Sequence, residues 1–123
     1  MDRKLMYVEL KTGYSDDGPA WIGYVKESKS GRTLYFRDHA FQKKTGYNSN
    51  YEDIESGDEY WISGVKKNET NRHWDGHGVI QIDKRAVEEF LQLIGESKLP
   101  SGYEAVEIMD EYPVERINQL LNK

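Results

Sequence analysis

The sequence predicts an α+β domain: a curled antiparallel sheet of four to six strands, small and barrel-like, covered by two C-terminal helices. Three observations carry that reading. Strand-like runs rich in Val, Ile, Tyr, Trp and Phe fill the chain up to Asp83 and are broken by Gly, Asn, Asp and Ser clusters. After Asp83 the apolar period becomes that of a helix. Strands followed by helices, without alternation, are the order of an α+β domain and not of a parallel α/β sheet.

At 123 residues the chain has the length of one domain, 1–123, with a β-rich body over 1–83 and a helical part over 84–123. A domain of that size buries roughly two thirds of the surface its unfolded chain exposes. Hydrophobic content is only 37%, but an aromatic share of 12% supplies burial and argues against a disordered chain.

Residues 5–10 form the first strand, which stops at Thr12 and Gly13, and residues 15–19 are a loop by composition. Residues 20–26 and 33–37 flank the tight turn Ser28-Lys29-Ser30-Gly31 and make a hairpin. Residues 38–57 are less regular. Residues 60–66 are a third clear strand, and residues 78–82 return as a fourth, forming a second hairpin across the polar 68–71 turn.

Val87, Phe90, Leu91 and Ile94 then fall at i, i+3, i+4 and i+7, the apolar face of a helix. Asp83 is its expected N-cap and Gly95 its stop. Residues 98–102 are a linker, and residues 103–109 fit no single element. Pro113 opens a second helix that buries Val114, Ile117, Leu120 and Leu121. Gly23, Gly31 and Gly64 are assigned to backbone geometry.

There is no cysteine, which excludes disulfides and thiolate chemistry and suits a reducing cytoplasm. The N-terminal residues lead into a strand without an apolar signal region, and no stretch approaches the roughly 20 apolar residues of a membrane span. The expectation is a soluble cytoplasmic protein with no membrane partner. Net charge is −5, yet it is blocked. Lys26, Lys29, Arg32, Arg37, Lys43 and Lys44 outnumber Glu27 and Asp38, while Glu52, Asp53, Glu55, Asp58 and Glu59 follow with no base. A solvated mixed surface is the ordinary reading of such blocks.

The runs Tyr7-Val8-Glu9-Leu10-Lys11-Thr12-Gly13, Gly18-Pro19-Ala20-Trp21-Ile22-Gly23, Ser28-Lys29-Ser30-Gly31-Arg32-Thr33 and Tyr60-Trp61-Ile62-Ser63-Gly64-Val65-Lys66-Lys67 resemble a family of small bacterial proteins. Arg72-His73-Trp74 with Gly76 and Gly78, Val79-Ile80-Gln81-Ile82-Asp83 and Tyr112-Pro113-Val114-Glu115-Arg116-Ile117 extend the resemblance over most of the chain. It carries over no catalytic residue. Family members are sometimes labelled deoxyxylulose-phosphate synthase. That enzyme is a large thiamine-diphosphate protein, and this chain is too short for its domains and has no diphosphate-binding motif.

The stretch Arg72-His73-Trp74-Asp75-Gly76-His77-Gly78 concentrates polar and aromatic chemistry between two strands. His73 and His77 are four apart, but the glycines argue for a turn, where that spacing does not gather metal ligands, so no metal is assigned. Asp75 near the histidines, or Asp38 beside His39, supplies the residue types of acid–base catalysis without the geometry, since strand neighbours point to opposite faces. The 28–33 turn lacks phosphate-loop spacing. The reading leans away from an enzyme, with no catalytic residue and no cofactor.

Two binding readings remain. Trp21, Tyr24, Tyr35, Trp61 and Trp74 interleave with Lys and Arg, as in single-stranded nucleic-acid platforms, although Trp21 and Trp61 are expected in the core and a pI near 5.2 opposes it. The preferred reading is a protein-binding module using Arg32, Lys66, Lys67, Arg72, His73, Trp74 and His77, with the 52–59 acids available to a basic partner.

Overall fold

The computed structural model describes residues 3–11, 19–45, 49–65 and 79–121. Along these run β1 (Arg3–Leu10), β2 (Ala20–Glu27), β3 (Thr33–Phe36), β4 (His39–Lys43), β5 (Tyr51–Asp53), β6 (Glu59–Gly64) and β7 (Ile80–Asp83). A 3-10 turn (Lys84–Ala86), α1 (Val87–Ile94), β8 (Tyr103–Val106) and α2 (Val114–Leu121) complete the order.

Six strands close on themselves in the order β1-β6-β5-β4-β3-β2, every pair antiparallel, because β2 pairs with β1 as well as with β3. The length of β2 allows a branch. Its C-terminal end holds β3 through Lys26 and Glu27, while Ala20, Trp21 and Ile22 hold β7 in parallel, and β8 adds parallel to β7. The expected curled sheet with C-terminal helices is thus a closed six-stranded barrel with a two-strand extension. No helix among the described residues is long and apolar enough to cross a membrane.

Period-two alternation sorts the side chains. Val8, Trp21, Val25, Phe36, Phe41 and Ile62 point inward and form the barrel core. Tyr7, Ala20 and Ile22 point outward and meet Ile80, Ile82 and the fully buried Phe90 of α1. Farther round the wall, Tyr35 and Ala40 are covered by Ile117 of α2. Burying one such large side chain contributes roughly 1.5–3 kcal/mol, so each helix is held chiefly by one central residue. Gly23 faces inward, and a Cβ there would lie 2.7 Å from Phe36 Cε1. The Asp83 carboxylate accepts from the Arg85 backbone N–H at 2.9 Å and so caps the 3-10 turn, whereas α1 follows Ala86 without a side-chain cap; Gly95 ends α1 at φ 75°, as the capping pattern predicted.

Several expectations need correction. β6 and β7 do not form a hairpin: β6 pairs with β1 and β5, whereas β7 runs parallel to β2. Parallel placement requires a crossover of a dozen or more residues, which the segment between Gly64 and Ile80 is long enough to supply. Trp61 is not core. It is 37% exposed, because Tyr60 and Ile62 take the inward positions of β6. Leu120 and Leu121 are exposed, since Ile117, with Val114 beside it, fills the α2 seat. Gly64 has ordinary φ and open space around it, so nothing in the backbone demands glycine there. The irregular 38–57 region contains β4 and β5, and the unassigned 103–109 region begins with β8.

Beyond β8 the chain crosses the barrel mouth as a strap. Ile108 inserts into the barrel core. Asp110 accepts from Arg3 Nη1 at 2.6 Å and from Arg85 Nη1 at 2.8 Å, while Arg85 also donates to the buried Asp83. Hydrogen bonding from Arg85, helped by the charges of Arg85 and Arg3, holds the Asp110 carboxyl below the usual carboxylate range against the opposing pull of burial. The Tyr112 hydroxyl donates to the Tyr24 carbonyl at 3.1 Å and ties the strap to β2.

Candidate functional site at the barrel mouth

The β3–β4 hairpin is as tight as a hairpin can be. Phe36 pairs with His39, so only Arg37 and Asp38 make the turn. Two-residue loops need positive φ, a conformation normally given to Gly, Asn or Asp. Here Arg37 adopts it, with φ 55°, the one non-glycine to do so among the described residues. Its side chain folds back over the barrel, placing the guanidinium 4.4 Å from the Trp21 ring centroid and 5.7 Å from that of Phe36.

Arg37 has no ion pair or hydrogen bond to its side chain among the described residues, and its Nε is buried. Burial lowers the guanidinium from its ordinary value, because the cation loses hydration. Other arginines contrast with it. Arg85 reaches Asp83 and Asp110, and Arg116 reaches Glu55 and Asp38. Through Arg116, α2 also braces the turn, since its Nη2 donates to the Asp38 carbonyl at 3.1 Å.

Arg37 lines an open cleft of about 480 Å3 between the hairpin, β7 and the strap. Gln81 stands on the β7 side. An indole N–H can only donate, so the 3.1 Å contact from Trp21 Nε1 fixes Oε1 as the Gln81 acceptor. Its amide N–H groups remain without a partner among the described residues. Ile108, the exposed Met109 and Val106 form an apolar wall, and Glu107 and Glu111 stand on the rim. A second hollow of about 410 Å3, lined by Lys84 and Arg85, lies on the other side of Met109.

His39 completes the cleft. Its Nδ1 lies 2.9 Å from Asp53 Oδ2, and Asp53 is 3% exposed. Asp53 Oδ1 meanwhile accepts from the backbone N–H groups of Glu55 and Ser56. An ionised carboxylate only accepts, so Nδ1 is the donor of this contact, and in the Nδ1–H tautomer Nε2 is the acceptor. The sequence neighbour Asp38 is not the partner of His39. The β4–β5 register, with Phe41 opposite Asp53, brings the true one from fourteen residues away.

Of the sequence-predicted binding residues, the structure describes Arg32 alone. It is exposed on the β2–β3 turn, at the opposite end of β3 from Arg37. Lys66, Lys67, Arg72, His73, Trp74 and His77 lie outside the described residues. The described aromatics of the aromatic–cationic set do not share one face: Trp21 is in the barrel, Tyr35 under α2, and Tyr24 beneath Arg3 and Arg85. Three of the five acids in the 52–59 block are already paired, Glu55 with Arg116, Glu59 with Lys44 and Asp53 with His39. Among the described residues no group of three His, Cys, Asp or Glu could hold a metal ion.

Arg37 and His39 were visible in the sequence only as a cation and an unpaired histidine. Asp53-Ile54-Glu55-Ser56-Gly57 is an Asp-led turn signal, which could have marked Asp53 as a structural carboxylate. No protein-family model matches the chain, and neither curated proteins nor solved structures gave a match.

Proposed function

We propose that this chain is a non-enzymatic protein-binding domain that receives its partner at the barrel mouth. The observation that carries the reading is Arg37. It is a half-buried cation without an anionic partner among the described residues, stacked on Trp21 and held in a costly backbone conformation. Strain and unsatisfied donors of this kind concentrate where a ligand completes the site. Arg, Trp and Met are also the residue types favoured at interface centres, and the exposed Met109 stands between the two hollows. The 72–77 stretch lies outside the described residues and is kept in the proposal as a further contact segment on its residue types alone. Within the same proposal the chain is a cytoplasmic member of the small bacterial family that it resembles.

Single-stranded nucleic acid is the weaker reading, because Trp21, Tyr24 and Tyr35 are divided among three cores, which leaves Trp61 as the exposed tryptophan among the described residues. The test is affinity capture with wild-type protein and with Met109→Asp, followed by identification of the captured protein and titration of the purified pair. A partner that binds wild type and is lost with Met109→Asp, but kept with Lys29→Glu on the far turn, supports the proposal. Salt-sensitive binding of short single-stranded RNA or DNA, with no protein partner, overturns it.

A further inference from the structure

We propose that the barrel-mouth cleft recognises the C-terminal carboxylate of a polypeptide, with the Arg37 guanidinium and the Gln81 amide as its donors. The inference rests on the protein-binding reading and names the group recognised.

A carboxylate is indicated because the donors are in surplus. Among the described residues Arg37 meets no acid, whereas Arg3, Arg85 and Arg116 do; Arg32 also meets none but is exposed to water, so Arg37 is the part-buried arginine without an acid. The Trp21 face holds the planar fork in place, so little rotamer freedom remains to be lost when an anion docks. Gln81 has its oxygen engaged by Trp21 and offers only N–H groups to the cleft. With His39 Nδ1 on Asp53, Nε2 can accept from a donor beside the carboxylate, and the backbone amide N–H of a terminal residue is such a donor.

A chain terminus is favoured over an acidic side chain by the rim. Glu107 and Glu111 are exposed there and the whole protein carries −5, so a stretch of acidic residues is repelled. A single terminal carboxylate preceded by basic or neutral residues escapes that penalty. The apolar wall of Ile108 and Met109 suits an aliphatic last side chain.

The probes are acetyl-Lys-Ala-Leu with a free carboxyl, the same peptide as its C-terminal amide, and acetyl-Ala-Glu-Ala-amide. The readouts are the Arg37 side-chain Nε–H and Trp21 indole N–H resonances together with affinity. The free acid is expected to shift both resonances saturably and to bind roughly tenfold or more tightly than the amide. Arg37→Gln removes the difference between acid and amide, and Arg37→Lys restores part of it. Equal binding of acid and amide, or no shift of Arg37, overturns the proposal, and the wild-type comparison does so even if the variants fold poorly. Preferential binding of the internal-Glu peptide overturns the terminal assignment in favour of a side chain. A captured partner that depends on Met109 and not on Arg37 refutes the carboxylate site while leaving the protein-binding reading intact. Peptide-acid binding without any protein partner does the reverse.

Discussion

Arg37 holds its guanidinium 4.4 Å from the Trp21 ring while its own backbone sits at φ 55°. The stack and the strain oppose each other within one residue. A cation–π contact contributes about 0.5–2 kcal/mol, and a non-glycine in the left-handed region costs about 1–3 kcal/mol. Arg37→Ala loses the stack and keeps the strain, whereas Arg37→Gly loses both. Urea unfolding is expected to place the glycine variant about 1 kcal/mol above the alanine variant, and equal midpoints would mean that the turn stores no strain.

The His39–Asp53 pair leads to a spectroscopic expectation. Nitrogen chemical shifts should show that the neutral form of His39 is the Nδ1–H tautomer, the minor form of a free imidazole. Asp53→Ala should release the ring to the ordinary tautomer and cost about 2–4 kcal/mol, because two backbone N–H groups in the following turn lose their acceptor as well. An unchanged tautomer in the variant would show that Asp53 does not orient His39.

Gly23 is a packing position inside the barrel. A methyl group there meets the Phe36 ring at 2.7 Å, with Ile108 Cδ1 next at 3.5 Å. Gly23→Ala is expected to cost about 1–3 kcal/mol by overpacking. Adding Phe36→Leu should recover part of that loss, so a double-mutant cycle reads the contact directly. Strict additivity would place the clash elsewhere.

Acid stability should depend on the strap. The Asp110 carboxyl lies below its ordinary value in the folded protein, first through its hydrogen bond from Arg85. The unfolded chain, with an ordinary value near 3.9, therefore binds the proton more readily. The stabilisation is complete above about pH 4 and is lost as pH falls through the lower folded value. Asp110→Asn should reduce stability at pH 7 by about 1–2 kcal/mol and flatten the acid limb. Urea midpoints between pH 2.5 and 7 test this, and an acid limb as steep as that of wild type would remove Asp110 from the account.

Alternation on the early strands and the helical period at Val87, Phe90, Leu91 and Ile94 carried the fold class, and Gly95 marked the end of α1, while Asp83 marked the 3-10 turn that leads into it. Those signals are local, because a side chain's face follows from its own strand or helix geometry. Pairing is not local. Nothing near β7 in the chain says that it joins β2 in parallel and leaves β6, and nothing near Trp61 says that Tyr60 and Ile62 take the inward places.

The candidate site was the least legible part for the same reason. Its members come from the β3–β4 turn, β2, β7 and the strap, and its chemistry lies in which of them meet. By itself the sequence determined a small barrel-like α+β body with two C-terminal helices, since periodicity and capping act over a few residues. Only the tertiary structure decided that Asp53 partners His39, that Arg85 and Arg116 have carboxylates and that Arg37 rests on Trp21, because ion pairing and stacking depend on distances set by strand register and barrel closure.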